Sequence, residues 1–390
     1  MKAFLLAVLT WVALVATAHG EEISGKLDRV PWPGDYWALV YCRLSFGQYS
    51  QGLAPFEKYD NYVLATRGSI PGAAIREADP ANGHNGNLPS WTGHCNGWAA
   101  AALLEPEPPS SLLVKLDRPT ELRRLRYPDQ LQVPSGASRD VAGAYVSASA
   151  SPATSIDLCS TDMKGMLTEI YCSVRSDFWG TRYNGPTPAD PNDLAYQDIK
   201  PHMLHELLIK HLKEKGEGLV FDADSGSSVW NQPVFAFKSS WVQKDKELAV
   251  TTTVTWALET YNGDNRVGLV NQVHHTYTYT MARDDSGVIV DSSWTGESVK
   301  DHPDFVWLPY AVIDEQNVPK LSLKIVKEMM GKGIANTSGL HPSPARSGPT
   351  AASSSPTIEP TIPPSTVESP PTTAEPISLL GVRGPGLERP

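Results

Sequence analysis

The spacing of hydrophobic and polar positions divides the chain into segments with different periods. Behind Lys2, residues 3–18 form an apolar run closed by the small residues Ala16, Ala18 and Gly20. This is the layout of a cleaved secretory leader, and the run is short for a bilayer span. Pro31-Trp32-Pro33-Gly34-Asp35-Tyr36-Trp37 reads as extended chain packed on a core. From Cys95 to Glu105 an apolar stretch predicts a short helix, stopped by Pro106, Pro108 and Pro109. Asp162–Tyr171 predicts a second helix, in which Met163, Met166, Leu167 and Ile170 share a face and Asp162 is suited to cap. Residues 179–201 carry four prolines and read as loop. Met203–Lys213 has helical spacing, with a strand start as the alternative, and Gly218–Asp222 reads as a strand ending in acid. After residue 248 the period becomes two. Leu248–Leu258, Val267–Met281 and Gly287–Trp294 predict an antiparallel sheet, its last two strands joined by the turn Asp284-Asp285-Ser286-Gly287. Helices first and strands later predict an α+β fold with a C-terminal antiparallel sheet.

Composition then sets the boundaries. Beyond residue 335, Ser, Thr and Pro dominate through Pro376, which predicts a disordered tail over 336–390 with a glycosylation sequon, Asn336-Thr337-Ser338, at its edge. A leader (1–20) and this tail leave a body of residues 21–335, long enough for a substantial core. No stretch after the leader is apolar enough to span a membrane, so a secreted protein is expected, extracellular or held at a cell wall. Acidic residues outnumber basic ones 43 to 33, giving a net charge of −10 and arguing against a nucleic-acid partner, which needs a basic patch. Four cysteines are too few for a disulfide scaffold and lack paired zinc-type spacing.

Cys95 is the first candidate for chemistry. In Trp91-Thr92-Gly93-His94-Cys95-Asn96-Gly97-Trp98 a loop delivers it to the start of a helix, where unsatisfied N–H groups favour a thiolate and can hold an oxyanion. That is the arrangement of papain-like cysteine enzymes; a disulfide or buried small residue is the plainer alternative. The residues leave two His–Asp couples open as partners: His205 with Asp222, and His275 with Asp291. Zinc-protease chemistry is set aside because His205-Glu206-Leu207-Leu208-Ile209 has Ile where a second His is needed, and no metal ligand set is assigned. Neither GxSxG nor a phosphate-binding loop occurs, and no acidic loop has EF-hand spacing.

Val229-Trp230-Asn231-Gln232-Pro233-Val234, followed after two residues by Phe237-Lys238, resembles the VWNQPVxxFK segment of the elicitor-type transglutaminases. These are secreted cell-wall glycoproteins of plant-pathogenic oomycetes, with relatives in marine bacteria. The Trp91–Ala99 motif, Asp162-Met163-Lys164-Gly165, Pro201–His205 and His302-Pro303-Asp304-Phe305-Val306-Trp307 extend the resemblance over roughly residues 30–310. It implies a papain-related fold and Ca²⁺-stimulated γ-glutamyl transfer between protein glutamine and lysine. Carried over, the nucleophile is Cys95, the base His205 and its orienting acid Asp222, with Asp224 as second choice; this favours the first couple. Trp91 and Trp98 are the candidates for a further oxyanion donor or a substrate wall.

The implied reaction is attack of the Cys95 thiolate on a glutamine γ-carboxamide, loss of ammonia, and capture of the thioester by an amine. A protease or glutamine deamidase would use the same groups with water as acceptor. A non-catalytic protein recognised by a host receptor through an exposed 229–241 segment is the alternative of a different class. Among Cys42, Cys159 and Cys172 at most one disulfide is expected, with Cys42 in it. Cys159 and Cys172 are separated by a helix of about 18 Å, beyond disulfide reach.

Overall fold

The computed structural model describes residues 21–39, 42–46, 52–79, 91–125, 144–149, 151–181, 198–223, 228–260, 267–268, 271–313 and 321–335. All belong to the first of two units, Met1–Ala335; the expected leader, residues 1–20, and the Ser/Thr/Pro-rich residues 336–390 lie outside the described residues. In chain order, β1 (Glu21–Lys26) precedes the helices α1 (Pro55–Arg67), α2 (Ala73–Glu77) and α3 (Cys95–Leu104). Next come β2 (Ser111–Thr120), β3 (Arg123–Leu125), β4 (Tyr145–Ser147), β5 (Ala153–Cys159), α4 (Ser160–Tyr171) and β6 (Val174–Gly180). Helix α5 (Pro201–Leu207) continues as a π-helical segment, Leu208–Lys215, and leads into β7 (Leu219–Asp222). The strands β8 (Asn231–Lys244), β9 (Glu247–Ala257), β10 (Gln272–Arg283), β11 (Ile289–Trp294) and β12 (Phe305–Val312) follow, then α6 (Leu323–Lys332) and β13 (Gly333–Ala335).

One large antiparallel sheet carries the order β11-β10-β9-β8-β7-β12-β6. Strand β8 is its spine. β9 runs along one edge, while β7 (at Asn231–Val234) and β1 (at Ala236–Trp241) share the other end to end. The expected C-terminal sheet is therefore present and also recruits β1 and β6 from earlier in the chain. The Asp284–Gly287 turn closes β10 onto β11, with Gly287 at φ 86°. The segment from Met203 onward is helix, not strand. The expected loop from Trp179 begins two residues late, because β6 extends to Gly180 against Phe305 of β12.

Local chemistry explains the helices that matter for the site. Helix α4 starts where Asp162 Oδ2 accepts the Cys159 N–H at 2.8 Å, so Asp162 acts from the third helical position rather than as the cap itself. Helix α3 is buried almost all round: Trp98, Ala99, Ala100, Ala101 and Ala102 have no exposed surface. The four alanines are small enough for the helix to lie between α4 and the sheet strands β7, β8 and β12. Gly97 permits the α3–α4 approach, since a Cβ there would collide with the Thr168 carbonyl oxygen and Cys172 Sγ. The Pro31–Trp37 stretch is buried as expected, with Trp32 and Trp37 each 2% exposed.

None of the four cysteines is bonded to another. This is within the expected limit of one bridge and leaves Cys42 out of any, its Sγ lying 3.5 Å from the Leu39 carbonyl within its own turn. Cys159 and Cys172 flank opposite ends of α4, which keeps them apart. Among the described residues no helix is long and apolar enough to cross a membrane.

Candidate active site

Cys95 is the first residue of α3, so its sulfur sits at the helix end where backbone N–H groups are unsatisfied. The sulfur is reached from β8. Asn231 Nδ2 donates to Cys95 Sγ at 3.4 Å, the Asn231 backbone N–H also points to it, and the thiol faces the Val229 carbonyl at 3.7 Å. Trp307 Nε1, on β12, donates to Asn231 Oδ1 at 2.9 Å. That indole fixes the amide: its oxygen is held by a donor, so its NH₂ is directed at the sulfur.

The strand pairing explains the convergence. Asn231 stands opposite Asp222 of β7, and Trp307 stands opposite Val220 on the other edge of β7. Asp222 is fully buried, and its Oδ1 accepts the Trp230 N–H at 2.9 Å, fastening the chain as it enters β8. Trp230 meets Tyr36 edge to face at 5.6 Å, and both pack against Cys95.

Burial pushes the Cys95 thiol up, the two Asn231 donors pull it down, and the charges of Glu259 and Asp222 push it up again. Glu259, in turn, is pushed up to about 8 by burial, aided by the charge of Asp35. A carboxyl raised this far binds its proton more tightly in the folded chain than in the unfolded one. It costs no stability below its ordinary value near 4.5, and the loss accrues as pH rises to about 8. Glu259→Gln is therefore expected to melt above wild type at pH 8.5 and to converge with it at pH 4.5. A melting difference that does not change with pH would remove Glu259 from this linkage.

The other expected site residues divide. The Asp222 charge acts on the sulfur from the strand beside Asn231, but His205 is held elsewhere, and this corrects the placement carried over from the resemblance. His205 Nδ1 bonds the Tyr279 hydroxyl at 2.8 Å, and Tyr279 in turn bonds Thr252, which bonds Ser239. Ser239 is eight residues along β8 from Asn231, a distance on the order of 25 Å. Burial lowers His205 to about 4, assisted by the nearby Arg283 charge, so the imidazole is neutral at physiological pH. His275 and Asp291 do not pair either: His275 lies 3.5 Å from Asp301, and Asp291 Oδ1 accepts the Ser292 N–H. Among the described residues, no histidine ring is bonded to Cys95. Trp98 is not a substrate wall, because it is wholly buried and its Nε1 donates to the Trp32 carbonyl at 3.2 Å. Trp91 is half-buried in the turn before α3. Asp224 lies outside the described residues.

The elicitor-like segment is not exposed as expected. Asn231, Pro233, Val234 and Phe237 are buried, Trp230 and Gln232 are half-buried, and Lys238 alone of that string is exposed. Its place as the start of the sheet's spine accounts for this. Sequence reasoning noticed Asn231 and Trp307 only as parts of family strings and missed Glu259. Two adjacent signals, an Asn between Trp and Gln and a Trp ending the His302–Trp307 string, carried the information without revealing the contact.

Calcium is expected from the family resemblance alone. It takes six to eight oxygen ligands. Among the described residues the group of convergent donors is His94, Glu169 and Cys172, with nitrogen and sulfur in the set. Asp284 Oδ1 is used by its own turn, accepting from the Ser286 and Val288 N–H groups.

A cysteine at a helix start, packed on an antiparallel sheet that supplies amide and carboxylate groups, defines a candidate thiol-nucleophile site in a mixed α/β protein. The family model for the transglutaminase elicitor matches residues 151–245 and 238–335, a span that contains Asp222, Asn231 and Trp307 and stops short of Cys95. Among solved structures, the crystal structure of the GP42 transglutaminase from Phytophthora sojae is similar, with a TM-score of 0.54 and 20% identity. The match covers 79% of this chain and 90% of that one; at this identity it is the fold that is alike. A search of curated proteins found no match. Residues 151–335 thus match the elicitor-type transglutaminase family, in keeping with the resemblance carried by the sequence strings.

Proposed function

We propose that the protein is a secreted protein-glutamine γ-glutamyltransferase with a papain-like arrangement of helix and sheet, working through a Cys95 thioester. The observation that carries this reading is the sulfur at the start of α3 with two Asn231 donors aimed at it. Those donors stabilise the thiolate and, after attack on a glutamine γ-carboxamide carbon, are placed for the oxyanion. The thiol proton goes to the Asp222 carboxylate, whose charge bears on the sulfur, and is returned to the departing ammonia, while Glu259, pushed up to about 8, already holds a proton of its own near neutral pH. A lysine amine then attacks the thioester, forming the isopeptide bond and restoring the thiol. Packing of Tyr36 and Trp230 against Cys95 limits water, which favours amine over hydrolysis. Substrates would be proteins bearing accessible Gln and Lys. Any requirement for Ca²⁺ belongs to the family resemblance, and no step here is routed through it.

The test is incorporation of a labelled primary amine into a glutamine-bearing protein, with product analysis for isopeptide against free glutamate. Free glutamate alone would make the protein a deamidase. His205→Ala is expected to keep the rate within a few-fold while losing about 1 kcal/mol of stability, because the buried Tyr279 hydroxyl loses one of its two partners and keeps Thr252. Asp222→Asn, which removes the proton acceptor, is expected to lower the rate about 100-fold. A dead His205→Ala enzyme that remains folded would return the imidazole to the mechanism.

A further inference from the structure

A second cluster of reactive side chains lies immediately behind the nucleophile. His94 is the residue before Cys95 and the N-cap of α3. Its Nδ1 lies 3.2 Å from Cys172 Sγ and 3.2 Å from Glu169 Oε2, and its Nε2 lies 3.4 Å from Glu77 Oε1. His94 and Glu77 are buried, and Cys172 and Glu169 are half-buried. The three atoms His94 Nδ1, Glu169 Oε2 and Cys172 Sγ all lie within 4.8 Å of one another. The nucleophile makes no use of any of them.

The geometry points to a zinc-type metal site formed by His94 Nδ1, Cys172 Sγ and Glu169 Oε2. Zinc bonds of about 2.0 Å to nitrogen and oxygen and about 2.3 Å to sulfur, at tetrahedral angles, separate such donors by roughly 3.3–3.6 Å. The two separations from His94 Nδ1, 3.2 Å each, are within a few tenths of an ångström of that, and the third pair lies within 4.8 Å. A thiolate, a carboxylate and a neutral imidazole offer two negative charges to a divalent ion, so the filled site is neutral. One nitrogen, one sulfur and one oxygen select a borderline-soft ion such as Zn²⁺ over Ca²⁺ or Mg²⁺.

Glu77 supplies the outer contact. A carboxylate on Nε2 keeps the proton on that nitrogen and leaves the Nδ1 lone pair for the metal, the usual role of the acid behind a ligating histidine. Binding releases the Cys172 thiol proton, and any proton on His94 Nδ1, to solvent. Asn96 Oδ1, 3.8 Å from Cys172 Sγ, is an oxygen available for the fourth position. The ion would tie together α2 through Glu77, the start of α3 through His94, and the end of α4 through Glu169 and Cys172. It would hold the first turn of α3, and so Cys95, without touching the sulfur that reacts. The inference stands independently of the proposed acyl transfer.

The test uses the full secreted chain, stripped with a chelator and titrated with Zn²⁺ alone or Co²⁺ alone. One ion per chain is expected, with a rise in melting temperature on Zn²⁺ and a thiolate-to-cobalt charge-transfer absorption on Co²⁺. Cys172→Ala should lose that absorption, and both Cys172→Ala and Glu169→Gln should weaken binding by more than about 100-fold; Glu77→Gln should weaken it about tenfold. Cys95→Ala should bind as wild type does. No saturable binding by the wild-type chain would overturn the site and leave the cluster a metal-free ion pair. Binding that survives both Cys172→Ala and Glu169→Gln would overturn it too. So would an absorption lost on Cys95→Ala, which would put the metal on the nucleophile.

Discussion

Cys95→Ala is expected to abolish amine incorporation, a loss of at least about 10³-fold, because no other group at the site can form the thioester. The chain should remain folded. The side chain is small and 6% exposed, its neighbours Tyr36 and Trp230 keep their mutual contact, and α3 gains rather than loses helix propensity with Ala. Circular dichroism melting alongside the amine assay separates chemistry from folding. Full activity in the folded variant would remove Cys95 from the mechanism.

The second large effect is expected at Asn231. Asn231→Ala deletes the side-chain donor at the sulfur and leaves only the backbone N–H, which should cost on the order of 10³-fold in kcat with little change in KM. Trp307→Phe keeps the amide but frees its oxygen from the indole, so it should cost less. Because the indole acts only through the amide, the double substitution should be no worse than Asn231→Ala alone. Additive losses would mean that Trp307 acts on the reaction by a separate route. An Asn231→Ala enzyme that binds glutamine substrate more weakly at unchanged kcat would make Asn231 a binding group instead.

Much of the fold was legible because the signals were local. The alanine-rich run after Cys95, stopped by prolines, could only be a short helix, and the Thr- and Val-rich strands with an Asp-Asp-Ser-Gly turn could only pair as a hairpin. What was not legible depended on register. His205 and Asp222 are separated by a short connection and share family strings, yet the imidazole projects toward Tyr279 while the carboxylate fastens Trp230. Nothing in their spacing distinguishes the two destinations. Asn231 was visible as part of an unusual string but its task was hidden, because the contact with Cys95 joins residues 136 positions apart. The receptor alternative needed an exposed 229–241 segment, whereas pairing on both edges makes most of it interior strand, which the string alone did not reveal. The cluster at His94 needs three helices to assemble, which no single stretch of sequence reveals.

The central claim is that one sulfur, held by Asn231 at the start of α3, becomes acylated. The most direct measurement is mass spectrometry of the acid-quenched protein after incubation with a glutamine peptide and no amine. The account expects a single adduct on the peptide containing Cys95, equal to the substrate less ammonia and released by added primary amine. An adduct on Cys42, Cys159 or Cys172, or none on a folded and amine-free enzyme, would contradict it.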